Sequence, residues 1–427
     1  MNHLNRTLTR SNLLGFAGAL TLLLLAAACQ NNASSSSGLK IGTLLSITGD
    51  LSQFGASMQD SANLLVKTVN SCDGVLGQPV QLISENDQTN PAAGAAAMTK
   101  LAEVNRVGGV IGATGSSVSS AAVDIAVRNQ VVQISPSSTS PVFTERAKKG
   151  DFKGFWFRTA PPDSFQGEAL AKLARSRGFK SVSVLAINND YGRGLVNSFS
   201  SAFAPLGGKV LNQAKPTYYP PDASSFESEV AEAFRGNPDA VLLVAYPETG
   251  SLILKAAYQQ GLLGKKTQVM LTDGMKDAKI AELVGKNAQG GFISAGMIGT
   301  SASAGGGALK QFSDRYTSTH KRQPTVYAPN TWDAAAVLVL AAEAAKSTSG
   351  AAIKDKIRAV ANPPGQNVSD VCQALSLIRQ GQEINYQGAS GNLDFDSQGD
   401  VTGSYDVWTI DKSGQLKVIS TISVRGS

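Results

Sequence analysis

The sequence predicts an α/β fold of two lobes, each a doubly wound parallel sheet, and three observations predict it. Short apolar runs of strand type alternate with helical stretches, the rhythm of βαβ units. That rhythm restarts after Phe155-Trp-Phe-Arg-Thr-Ala-Pro-Pro162, which divides two such runs. The chain has 427 residues and is 42% hydrophobic, enough for two or three domains with an Ala/Val/Leu core.

Each element has its own warrant. Residues 40–47 form an apolar strand run, and 57–70 carry Met58, Ala62, Leu65, Val66 and Val69 on one helical face. Residues 78–84 read as a strand, and 91–104 as an Ala-rich helix opened by proline. Strand 107–113, helix 116–129 and strand 131–134 complete the first run. The second run reads helix 165–177, strand 181–187, helix 195–203, strand 209–213, helix 224–234, strand 240–245, helix 250–260 and strand 268–271. The C-terminal third is less regular. Residues 290–297 are strand-like and 301–307 form a Gly/Ser/Ala loop. Helices are expected over 309–319, 331–346, 353–360 and 371–380, with strands at 405–410 and 416–422. No internal repeat is evident.

The first 28 residues read as a secretory signal: Arg6 and Arg10, an apolar run over 13–28, then small residues. The run ends on Cys29 and resembles a bacterial lipobox, with Ala26 where leucine is commoner. Cleavage after Ala28 would leave Cys29 lipidated on a flexible polar tether, 29–38. An ordinary signal peptide or a single anchor helix is the other reading, although 16 residues fall short of the roughly 20 that span a bilayer. The expected location is the periplasmic or cell-surface side of a bacterial plasma membrane.

The formal charge of +6 includes the two leader arginines, and no Lys/Arg cluster suggests nucleic acid. Cys72 and Cys372 remain as an even pair in an oxidising compartment, read as a disulfide or as two separate buried thiols. Only His320 lies outside the leader, which argues against hydrolytic triads and zinc sites. No enzymatic activity, metal or cofactor is expected.

Candidate ligand groups sit after expected strands, where open α/β sheets bind ligands. Gly112-Ala-Thr-Gly-Ser-Ser-Val-Ser119 leads into a helix, and its hydroxyls and free amides suit a carboxylate. No lysine completes a P-loop, and Ser116 and Ser117 also read as ordinary N-caps. Ile134-Ser-Pro-Ser-Ser-Thr-Ser-Pro141 offers further hydroxyls or a plain Ser/Pro turn. In the second lobe, Asn188-Asn-Asp-Tyr-Gly-Arg-Gly194 aims Tyr191 outward or half-buries it. Ala245-Tyr-Pro-Glu248 and Leu271-Thr-Asp-Gly274 follow, with Asp273 placed to take an ammonium or to cap its own turn. Hydroxyls on one lobe, with aromatics and a carboxylate on the other, suit a zwitterion.

These residues resemble the periplasmic branched-chain amino-acid binding proteins, the Leu/Ile/Val-type solute receptors of ABC transporters. The likeness covers 39–427. It opens with Lys40-Ile-Gly-Thr and Thr48-Gly-Asp-Leu-Ser-Gln-Phe-Gly55, and runs through the 134–141, 189–194 and 272–274 motifs. It ends at Gly388-Ala-Ser-Gly-Asn-Leu-Asp-Phe-Asp396 with Gly399-Asp400. Within the family, the cyanobacterial neutral amino-acid receptors look most similar. The resemblance implies a type I periplasmic-binding-protein fold with three crossings, near 158–162, 290–295 and 400–405. Lobe one would hold 39–158 and 295–400, and lobe two 159–294 and 401–427, with both cysteines in lobe one. Ser116, Ser137 and Thr139, with backbone help at Ser117, would hold the α-carboxylate, and Asp273 the α-ammonium. Tyr191 would close over the ligand, and Tyr246 matches another pocket aromatic. Phe54 stands where the family often has tyrosine, and Tyr327 where a side-chain aromatic is expected. The implied partners are a free amino acid, permease subunits of an ABC importer, and the membrane through Cys29. A lipid-anchored sensory protein using the same fold is the alternative.

Overall fold

Two sheets organise the chain in the computed structural model, which describes residues 38–264 and 266–424. The leader and Cys29 lie outside the described residues. The first sheet comprises β1 (Lys40–Leu45), β2 (Gln81–Asn86), β3 (Gly109–Gly112), β4 (Val132–Ser135) and β5 (Trp156–Arg158). Its order is β2-β1-β3-β4-β5, parallel throughout. The connections carry α1 (Ser52–Asn70), α2 (Pro91–Thr99), α3 (Ser116–Arg128) and α4 (Val142–Lys148). Helix α2 starts where expected because Asn90 accepts from the amides of Ala92 and Ala93 ahead of a first-turn proline. With every strand parallel, the loops that follow them share one edge.

The second run supplies α5 (Asp163–Ser176), β6 (Ser181–Ile187), α6 (Asp190–Phe203), β7 (Lys209–Val210), β8 (Thr217–Tyr219), α7 (Glu227–Phe234) and β9 (Ala240–Val244). Then come α8 (Pro247–Gln259), β10 (Gln268–Leu271), α9 (Ile280–Val284) and β11 (Ile298–Ala302). The expected strand at 209–213 is shorter because Asn212 turns inward. Its amide pairs with both the N–H and the carbonyl of Val184, standing in for backbone between β7 and β8.

After β11 the chain returns to the first sheet through α10 (Leu309–His320) and α11 (Ala328–Ala345). Helix α11 is apolar around almost its whole circumference and buried accordingly, packed on α1. Short elements follow: α12 (Gly350–Lys354), α13 (Ile357–Ala361), β12 (Gln366–Val368), α14 (Val371–Arg379) and β13 (Ile384–Tyr386). The single helix expected over 353–360 is thus two. Cys72 and Cys372 form a disulfide that ties the end of α1 to α14 across 300 positions.

The chain closes with β14 (Tyr405–Ile410) and β15 (Leu416–Ile422). They complete the second sheet, ordered β15-β14-β11-β10-β9-β6-β7 with β8 also on β6. One expectation is corrected. The second crossing does not fall at 290–295, because β11 pairs with β10 and β14 inside the second sheet. Gly290 and Gly296, at φ 82° and 85°, keep the preceding stretch in turns, so the strand forms at Ile298 and the crossing follows Ala302. The lobe-one segment assigned from 295 therefore starts past 302. Among the described residues no helix is long and apolar enough to cross a membrane.

Candidate ligand-binding site

The strand-end loops of the two sheets meet across a cleft that is shut. Asp190, at the start of α6, is held three ways by the first lobe. Its N–H donates to Ser117 Oγ (2.9 Å), its carboxylate accepts from Ser120 Oγ (2.6 Å), and its carbonyl from Ser140 Oγ (2.8 Å). On the other flank Asp50 accepts from the N–H and hydroxyl of Thr249 at 3.0 and 2.9 Å. Gln53 adds a bond to Glu248 at 2.9 Å.

Behind these clamps lies a small cavity of about 280 Å³, lined from both lobes. Its first-lobe wall is the start of α3, where Gly115 occupies the N-cap and no side chain caps the first-turn amides. Those amides and the dipole behind them form an anion site. Ser116 and Ser137 line it, with Thr114 beside them. Ser137 Oγ donates to Thr114 O at 2.8 Å, which fixes its rotamer. Arg158, fully buried, shapes this loop from beneath: it pairs with Asp400 at 2.6 Å and donates to the carbonyls of Ser138 and Ser140.

The facing wall is acidic and aromatic, built from second-lobe Asp273, Tyr191 and Tyr246 together with first-lobe Tyr327 and Phe54. Asp273 is buried and accepts from the hydroxyls of Tyr191 (2.9 Å) and Tyr327. Tyr191 stacks on Tyr246 with centroids 5.6 Å apart, and Tyr327 meets Phe54 edge-on at 5.8 Å. Tyr327 thus serves as a donor to Asp273 as well as the wall aromatic that was expected.

A second carboxylate lies next to this one. Asp163, the first residue of α5, is fully buried, and neither of its oxygens has a hydrogen-bond partner. Thr139 Oγ1 is near enough to favour its ionised form yet makes no well-aligned bond. Burial first, and then repulsion from Asp273, push the Asp163 carboxyl well above the usual range. Burial also raises Asp273, against the pull of its tyrosine donors. Two such neighbours resist ionising together, so the pair retains a proton.

Of the residues singled out from the sequence, Phe54, Ser116, Ser137, Tyr191, Tyr246, Asp273 and Tyr327 line the one cavity. Ser117 does not; its hydroxyl is engaged with Asp190 across the cleft. The Thr139 side chain sits beside Asp163 rather than in the lining. Asp163, Thr114, Leu51 and Gly274 were missed. Asp163 follows Pro161-Pro162, a signal of a helix start that carries no hint of a buried charge.

Residues 57–413 match the family described as "Receptor family ligand binding region". A chemotactic signal transduction system substrate-binding protein, BasB, from Halobacterium salinarum is 25% identical over 363 residues, 83% of this chain and 82% of its own length. Leu/Ile/Val-binding protein homolog 1 of Brucella abortus is 27% identical over 72% of this chain and 78% of its own. Among solved structures, a leucine binding protein, LivK, from Thermotoga maritima superposes with a TM-score of 0.75 at 26% identity, covering 90% of this chain and 99% of its own. The shared architecture is the type I periplasmic-binding-protein fold.

Proposed function

The chain belongs to the receptor-family ligand-binding-region family, and from that premise we propose that it is an extracytoplasmic solute-binding protein. It captures a free amino acid between its lobes and hands it to the permease of an ABC importer. The observation that carries this reading is the opposition of charge preferences in one closed cavity. An uncapped helix start with Ser116 and Ser137 faces the buried carboxylate of Asp273, an opposition that suits a zwitterion and little else of that size. The first-turn amides, Ser116 and Ser137 hold the α-carboxylate. Asp273 holds the α-ammonium, with Asp163 and Thr139 completing its surroundings. Tyr191 and Tyr246 cover the ligand from the second lobe, and Phe54 and Tyr327 wall its flank.

The test is calorimetry of the mature protein against free amino acids and against their N-acetylated and carboxamide derivatives. Free amino acids should bind at micromolar strength and both derivatives far more weakly. Equal binding of the derivatives would refute these assignments. Residues 1–29 support lipid attachment on the outer side of the membrane: labelled fatty acid should enter the wild type and not Cys29→Ser. A sensory role is the second reading, favoured by the likeness to BasB. Deletion of this protein that left amino-acid uptake intact while taxis failed would select it.

A further inference from the structure

The main cavity is too small for a bulky side chain. Its whole volume is about 280 Å³. Next to it lies a second chamber of about 690 Å³. Gly115 and Tyr246 line both. Gly115, Leu51 and Tyr246 form the wall between them: a Cβ on Gly115 would lie 3.3 Å from Leu51 Cδ1 and 3.7 Å from Tyr246 Oη, so only glycine leaves room there. A ligand whose backbone sits between Ser116 and Asp273 has this passage as its way to open volume.

The chemistry of the second chamber is one-sided. Asp50 and Asp222 bring carboxylates, Gln88, Asn90 and Asn189 bring amides, and Ser117 a hydroxyl; among the described residues no lysine or arginine lines it. Four helix starts border it: those of α2, α6 and α8 have amides taken by Asn90, Asn189 and Asp50, and that of α3 is the one assigned to the α-carboxylate. Asn90 Oδ1 accepts from Ala92 and Ala93 at 2.9 and 3.0 Å, and Asp50 accepts from Thr249. What remains is mainly acceptor capacity at negative potential. A side-chain carboxylate brought here would meet two of its own kind without a cation, and an aliphatic one would strip polar groups of water without replacing their bonds.

Resting on the amino-acid reading above, we infer that the ligand's side chain passes Gly115 and Tyr246 into this chamber and ends in a hydrogen-bond donor: a carboxamide, an ammonium or a guanidinium. The binding protein then selects polar or basic amino acids over branched-chain and acidic ones.

Calorimetry of the full mature protein with alanine, leucine, glutamate, glutamine, lysine and arginine tests this. At least one of the last three should bind tenfold or more tighter than leucine, with glutamate weakest; glutamine against lysine and arginine tells which donor is used. Asp222→Asn, at an exposed position, should lower the ratio of lysine or arginine affinity to alanine affinity several-fold. Gly115→Ala has an ordinary φ of −92° and should weaken the long ligands more than alanine by narrowing the passage. Tightest binding of leucine or glutamate overturns this inference and leaves the amino-acid reading standing. Binding of no amino acid overturns both.

Discussion

Ligand capture should release a proton, and Asp163 should be the reason. With the cleft shut the carboxyl is buried without a hydrogen-bond partner beside Asp273, and burial raises it well above the usual carboxylate range. Among the described residues no cation nearby is uncommitted. Arg158 is committed to Asp400 and two carbonyls, and Lys276 to Ser301 at 2.8 Å, its own pKa lowered by burial. Tyr191, Tyr327 and Tyr405, which also face the pair, are pushed upward by burial and stay phenols. An ammonium placed between the carboxylates reverses the balance, and the proton leaves. A raised acid destabilises the fold as pH climbs from the unfolded value of about 4 through the folded one. The free protein should therefore lose stability with rising pH, and ligand should restore more of it at pH 8 than at pH 5. Affinity should rise with pH over the range in which the unliganded pair still holds its proton. Asp333 is pushed by burial to about 7 despite donors from Ala389 and Ser390. The comparison with Asp163→Asn separates its contribution from that of the pair. Calorimetry in two buffers of different protonation enthalpy should count a net proton release by wild type that Asp163→Asn lacks. Because no bond to Asp163 is broken, the variant should also be more stable than wild type at pH 8 without ligand. A wild type that releases no proton and binds equally at pH 5 and 8 would refute the argument.

Other consequences are simpler. Reducing the Cys72–Cys372 disulfide reopens a loop of 300 residues, for which chain entropy alone gives about 6 kcal/mol as an upper bound; urea melts with and without reductant should differ by a sizeable part of that. Arg158→Met strands Asp400 in the interior and should cost roughly 3–5 kcal/mol in urea denaturation, whereas an unchanged midpoint would mean that Asp400 finds another partner. Tyr327→Phe removes one donor from Asp273 and should weaken amino-acid binding by about 1–2 kcal/mol, read as a 5- to 30-fold rise in Kd. Thr249→Val removes the hydroxyl half of the Asp50 clamp; stopped-flow release should quicken while association stays nearly constant, since the clamp forms after the ligand is seated.

What the sequence makes legible follows from what periodicity can carry. The long buried strand Ser181–Ile187 and the closing pair, Tyr405–Ile410 and the largely exposed Leu416–Ile422, stand at the expected residues. The three-residue strands β5, β8, β12 and β13 are too short to show a period, and β8 is masked further by the prolines around it. Helix α6 begins at Asp190, not at 195, because Gly192 and Gly194 read as loop glycines. In the fold they serve close approach: a Cβ on Gly192 would fall 1.9 Å from the carbonyl of Ile187. That displacement matters, since it puts Tyr191 in a first helical turn, aimed inward at Asp273. The same limit governs the site. Residues at strand ends, Ser116, Ser137 and Asp273, could be singled out because topology alone brings strand ends together. Ser117 could not be told from Ser116, because one helical step of about 100° decides whether a hydroxyl faces the cavity or the opposite lobe. Asp163 could not be seen at all: its charge acquires meaning only from the absence of partners in three dimensions. Residues that bind through what surrounds them, and not through where they fall on a strand, are the ones that sequence reasoning must leave to the structure.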